Sequence, residues 1–135
     1  MPTWLDLVHD PRGVRAIYGA NDSPSLEKIL LHEVVLQRDG PSAVLRFDLL
    51  EFPPSAPKKW RAQGFNVVQI SLMMIGVKDL SLTGWNHRGW ASMELVAQDE
   101  SLMLGVLWGS VRIQIQADAA AVTSISAYAG DLSLE

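Results

Sequence analysis

Three prolines within six residues, Pro53, Pro54 and Pro57, constrain this chain more than any other feature. Each lacks an amide donor, so residues 52–57 can form neither a helix nor an interior strand and must run as a stiff, extended crossing. Trp60 anchors the far end of that crossing, and the most apolar stretch of the sequence, residues 65–75, follows it. There Val68, Ile70, Leu72 and Met74 alternate with Val67, Gln69, Ser71, Met73 and Ile75. Apolar residues on both faces predict a central strand covered on one side by a helix.

That helix belongs before the crossing. Asp10 has the character of an N-cap and Pro11 suits a first helical position. Val14, Ile17 and Tyr18 then fall on one stripe, and Gly19 suits the stop. Gly13 weakens this helix, so it must be held by docking on a sheet, with Trp4 and Tyr18 as the expected contacts. Residues 28–38 read as a strand, Asp39-Gly40 as a hairpin turn made less tight by Pro41, and residues 43–49 as a half-buried return strand. After the central strand Gly76 is expected to turn the chain. Strands over 77–83, 91–98, 102–108, 111–116 and 122–128 follow, with turns at residues 86–89, 99–101, 109–110 and from Asp118, and residues 130–135 as a frayed tail. The pattern predicts an α+β, mostly β fold. One N-terminal helix packs on an antiparallel meander, sandwich or partly closed barrel of about eight strands, in a single domain over residues 1–135.

Charge narrows the choice of partner. Residues 1–88 carry ten Lys/Arg against nine Asp/Glu, whereas residues 89–135 carry Arg112 alone against Glu94, Asp99, Glu100, Asp118, Asp131 and Glu135. An acidic final third argues against gripping a nucleic-acid backbone, which requires a basic stripe. It suits a basic protein partner, although acidic hairpin turns also serve solubility. The chain has no cysteine, so disulfides and thiolate metal sites are excluded. No apolar run is long enough to span a membrane, and MPTWLDLVHDPRG lacks the basic and apolar regions of a signal peptide, so cytoplasmic residence is expected.

The residues give little support for catalysis. His9, His32 and His87 are widely spaced and form no metal-ligand pattern. His32 and the adjacent Glu33 should point to opposite faces of their strand. Asp48 and Glu51, ahead of the proline crossing, read as charges that mark an exit to solvent. GxSxG, GxGxxG and P-loop patterns are lacking. Neither enzyme activity nor a cofactor is expected. Among the tryptophans, Trp4, Trp60 and Trp108 fit core or docking positions, and Trp85 is expected to pack its corner. Trp90, with His87 and Arg88, forms either a packed turn or an aromatic binding loop, since Trp and Arg are the residue types that anchor protein interfaces. Lys58-Lys59-Trp60-Arg61 reads as a solvated loop more readily than as a nucleic-acid stacking platform. His87, Arg88, Trp90, Asp99, Glu100 and Asp118 are therefore the candidate contact residues.

Several segments, taken in order, carry a family resemblance: Ile17-Tyr18-Gly19, Pro24-Ser25-Leu26, Arg38-Asp39-Gly40-Pro41, RFDLLEFPPSAPKKW, Gly64-Phe65-Asn66, Gln69, Gly84-Trp85 and Ile125-Ser126-Ala127-Tyr128. With Trp4 at the start, they resemble the immunity protein 50 family of bacterial polymorphic toxin systems. The corner at 86–90 and the apolar strand at 104–108 depart from that likeness. The resemblance implies a cytoplasmic antitoxin that binds a cognate toxin stoichiometrically, and it implies no catalytic residues. A basic toxin such as a nuclease would suit the acidic third, with the protein itself monomeric or homodimeric. The alternative is a small-ligand-binding β-barrel or cryptic enzyme with a cavity under the helix. A third reading is a module that self-associates through an unpaired edge strand.

Overall fold

A computed structural model describes residues 3–19, 22–54 and 56–130. The expected tail beyond Gly130, and Asn21 of the expected polar turn, lie outside the described residues. The chain opens with a 3₁₀ turn, Trp4–Leu7, and a helix α1, Arg12–Tyr18. Strands β1 (Ile29–Gln37) and β2 (Ser42–Leu49) form the leading hairpin, and a short helix α2 (Lys58–Ala62) follows the proline crossing. Then come β3 (Val67–Thr83), β4 (Ser92–Gln98), β5 (Ser101–Trp108) and β6 (Val111–Tyr128). All six strands lie in one antiparallel sheet in the order β1-β2-β3-β6-β5-β4.

Among the described residues six strands replace the expected eight, because two anticipated turns are not turns. Gly76 takes φ +68° inside β3, next to a register shift between Val77 and Asp79, so the glycine bends the strand without ending it. Opposite it, β6 runs straight through Asp118, with Ala117 and Ala119 both paired to β3. The two long strands make one ribbon shared by two half-sheets. Before Gly76, β3 is flanked by β2; beyond it, β6 is flanked by β5, whose pairing ends at Ala117. Where β5 stops, His9 takes its place: its N–H donates to Ala120 at 2.7 Å and its carbonyl accepts from Val122 at 3.2 Å.

The sheet is not closed into a full barrel, and the strands of the described residues form one sheet instead of the two of a sandwich. It does curl strongly. A flat six-stranded sheet would hold its edge strands about 24 Å apart, yet Ile29 of β1 and Ala91 beside β4 exchange two 2.8 Å backbone bonds. The Met93 N–H also donates to the Leu26 carbonyl at 2.8 Å. The concave face holds one continuous core that includes Leu45, Phe47, Ile70, Leu72, Leu104 and Ile113, all 0–1% exposed.

The N-terminal segment covers that core, as the apolar stripe predicts. Trp4, Leu5, Val14 and Tyr18 are buried. The Trp4 indole N–H donates to the Pro24 carbonyl at 3.0 Å and the Tyr18 hydroxyl to the Glu51 carbonyl at 2.6 Å. Gly13 lets α1 lie close on β6: a Cβ there would stand 3.3 Å from Ile125 Cγ2. Two local expectations shift. Asp10 takes φ 56° and is not the cap; the helix begins one residue later, behind Pro11. The basic run around Trp60 is helical, with Trp60 tilted against Phe52 at a 6.3 Å ring separation.

Candidate functional site

The predicted contact residues fall into two groups at opposite ends of β4, separated by its length of about 20 Å. His87, Arg88 and Trp90 lie in the β3–β4 corner. Asp99 and Glu100 form the β4–β5 turn, where Asp99 adopts φ 57°, a conformation that aspartate tolerates better than most residues. Asp118 joins the second group through Lys78, whose ammonium donates to Ser101 Oγ at 3.2 Å and pairs with Asp118 at 3.1 Å.

The corner is built on two tryptophans. Trp85, expected to be packed, is 50% exposed and meets Trp108 edge-on at 5.7 Å. The Trp108 indole N–H donates to the His87 carbonyl at 3.1 Å, and its ring covers Gly89, where a Cβ would stand 2.9 Å from Cδ1. Trp90 is half-buried under the Lys28 ammonium, 5.1 Å from the ring centroid. His87 and Arg88 are exposed on this frame.

Between the two ends lies the outer face of the half-sheet formed by β4, β5, β6 and the second half of β3. Register fixes its rows: Ser92, Leu107, Arg112 and Thr83 in one, Glu94, Gly105, Gln114 and Ser81 in the next, then Val96, Met103, Gln116 and Asp79. The middle row is notched at Gly105, and a cavity of about 390 Å³ opens there. Asp79, Glu94, Asp99, Glu100 and Arg112 make no ion pair among the described residues. Elsewhere charges are paired locally, as in Arg12–Asp10, Arg15–Asp6 and Arg46–Glu33. A second cavity of about 320 Å³ lies along β4 beside Trp4 and Leu26, and neither cavity lies beneath α1.

The other half-sheet carries a polar cluster that the sequence reading missed. Asp48 is 2% exposed instead of marking an exit to solvent. Its carboxylate contacts His32 Nε2 at 2.6 Å and accepts bonds from Gln69 Nε2 at 2.9 Å and from the Tyr128 hydroxyl. A register shift between Leu31 and Glu33 adds one residue to β1. His32 and Glu33 therefore share a face, against the simple alternation, and reach Asp48 and Arg46 of β2 respectively. The available signal was Asp48 itself, two residues from Arg46 on the same face of β2.

Burial, then the bond to Asp48 and that carboxylate's charge, push the Tyr128 hydroxyl up to about 12, while Arg88 and Arg46 oppose the shift. Burial and then the Glu51 charge push Tyr18 up as well. Both folded values exceed the unfolded value of about 10, so the stabilisation is complete below pH 10 and is lost as pH rises through the folded values. The urea midpoint is expected to fall between pH 9 and pH 11.5. Tyr128→Phe should be less stable at pH 9 yet show a shallower alkaline decline; an unchanged slope would refute the assignment.

Among the described residues no group of three or more His, Asp or Glu is placed to hold a metal, and no helix is long and apolar enough to cross a membrane. Fold and face together define a small, curled, antiparallel β-sheet protein that presents a broad surface. The chain belongs to the immunity protein 50 family, whose family model matches residues 10–128. No curated protein and no solved structure matches it.

Proposed function

We propose that this protein is the antitoxin of a bacterial polymorphic toxin system and neutralises its cognate toxin in the cytoplasm by direct stoichiometric binding. The observation that carries this reading is the family match across residues 10–128. Binding rather than catalysis is the activity, and the contact surface is the outer face of the β4–β5–β6–β3 half-sheet with its two ends. His87, Arg88 and Trp90 sit at one end and Asp99, Glu100 and Asp118 at the other.

Unpaired carboxylates on that face favour a basic toxin, such as a nuclease, because complementary potentials accelerate encounter and fix orientation. The test of function is induction of the neighbouring reading frame in a bacterium with and without this protein. Growth arrest that this protein relieves supports the reading, and arrest without relief opposes it. The test of the charged end is a triple variant, Asp99→Lys, Glu100→Lys and Asp118→Lys. It should associate with the toxin about tenfold more slowly at low salt, with a flattened salt dependence. An unchanged association rate would remove these three residues from the contact surface.

A further inference from the structure

Gly105 is not required by the fold. Six of the ten glycines hold a positive φ, and Gly13, Gly89 and Gly130 each have a neighbour within 3.3 Å of where a Cβ would stand. Gly105 has neither: its φ is ordinary and nothing lies within 4 Å of that position. It nevertheless occupies the middle of β5, between two paired strands, where a β-branched residue would stabilise the sheet better. A strand glycine marks a bulge, a sharp bend or a close approach by another molecule; the register runs through Gly105 without a shift on either side, so no bulge accounts for it, and the face above it is open.

The surroundings of the notch indicate what comes close. Glu94 and Gln114 stand directly beside Gly105 on the flanking strands, and Leu107 follows on the same face, 50% exposed. Glu94 supplies the only charge in the notch row, and no ion pair satisfies it among the described residues. Among the described residues, the other charges on this half-sheet and its turn with no ion pair are Asp79, Asp99 and Glu100 against Arg112, so the field favours a cation. A long side chain with a basic head matches a floor of bare backbone, the Leu107 wall and the Glu94 carboxylate, with the Arg112 guanidinium lining the same cavity one row away.

We infer that the Gly105 notch is an anchor pocket for one lysine or arginine side chain of the toxin, with Glu94 as its counter-ion; this rests on the antitoxin reading. Filling the notch should block the partner without harming the fold. Gly105→Leu and Gly105→Thr are expected to keep or raise the thermal midpoint and to weaken toxin binding at least tenfold, and Glu94→Gln should weaken it and flatten its salt dependence. Toxin affinity of both Gly105 variants within twofold of wild type would overturn the pocket.

A second measurement does not require the toxin. The ¹⁵N-labelled protein is titrated with an acetylated, amidated Gly-Arg-Gly tripeptide. Saturable shifts are expected at the amides of Glu94, Gly105, Leu107 and Gln114, and they should vanish in Gly105→Leu. Shifts elsewhere only, or shifts that survive the substitution, overturn the pocket. The two readings separate cleanly. Neutralisation that Gly105→Leu leaves intact sinks the notch and keeps the antitoxin. Peptide binding at the notch of a protein that fails to protect sinks the antitoxin and keeps a cation site.

Discussion

Asp48→Ala is expected to destabilise the protein by about 3 kcal/mol, with a urea midpoint lowered in proportion. One carboxylate, 2% exposed on β2, is tied to His32 on β1, Gln69 on β3 and Tyr128 on β6. Four of the six strands therefore meet at a single side chain. A hydrogen bond to a charged group contributes about 1.5–3 kcal/mol, but the three do not sum, because the freed donors regain water in part. His32, at 34% side-chain exposure, regains the most. Asn at this position keeps the shape and an acceptor oxygen and should cost about half as much. An alanine variant within 1 kcal/mol of wild type, on the scale of ordinary surface substitutions of about 0.5 kcal/mol, would show that the cluster does not staple the sheet.

Gly84→Ala should be at least as damaging, for a steric reason. Gly84 holds φ +70°, and a Cβ there would stand 2.1 Å from the Ser110 carbonyl oxygen. The obstacle is backbone, so the end of β3 and the β5–β6 turn must move apart. The cost is expected to exceed about 3 kcal/mol, the left-handed backbone contributing roughly 1 of it. Gly109→Ala is the internal control. It holds φ +53° with nothing within 4 Å, so only the conformational cost of about 1 kcal/mol applies. Movement at Gly84 also carries Trp85 away from Trp108, so tryptophan fluorescence should change in Gly84→Ala and stay near wild type in Gly109→Ala. Equal stability of the two variants would refute the clash.

What the sequence made legible was local. Period-two alternation located nearly every strand residue, and the stripe of Val14, Ile17 and Tyr18 marked the face that α1 buries. The errors arose where a distant strand decided the outcome. Gly76 and Asp118 are good turn residues in isolation, yet each is flanked by residues paired to a strand forty or more positions away, and that pairing continues the strand past them. The additional residue in β1 likewise depends on its fit to β2, and it placed His32 beside a carboxylate expected to be in solvent. The candidate face could not be assembled from sequence at all. Its rows combine residues from four strands, and its centre is a side chain that is missing.

The shared ribbon has a consequence for how the protein comes into being. Val67 pairs with Tyr128, and His9 docks against Ala121. The contacts that unite the two half-sheets thus join early and late parts of the chain, and the entropy of closing such long loops must be met before the pairing returns anything. A nascent polypeptide that has emerged as far as β5 has no β6 to bridge its halves. Folding is therefore expected in the millisecond-to-second range of non-local β topologies, and the bridge between the half-sheets can form only after translation has passed Tyr128.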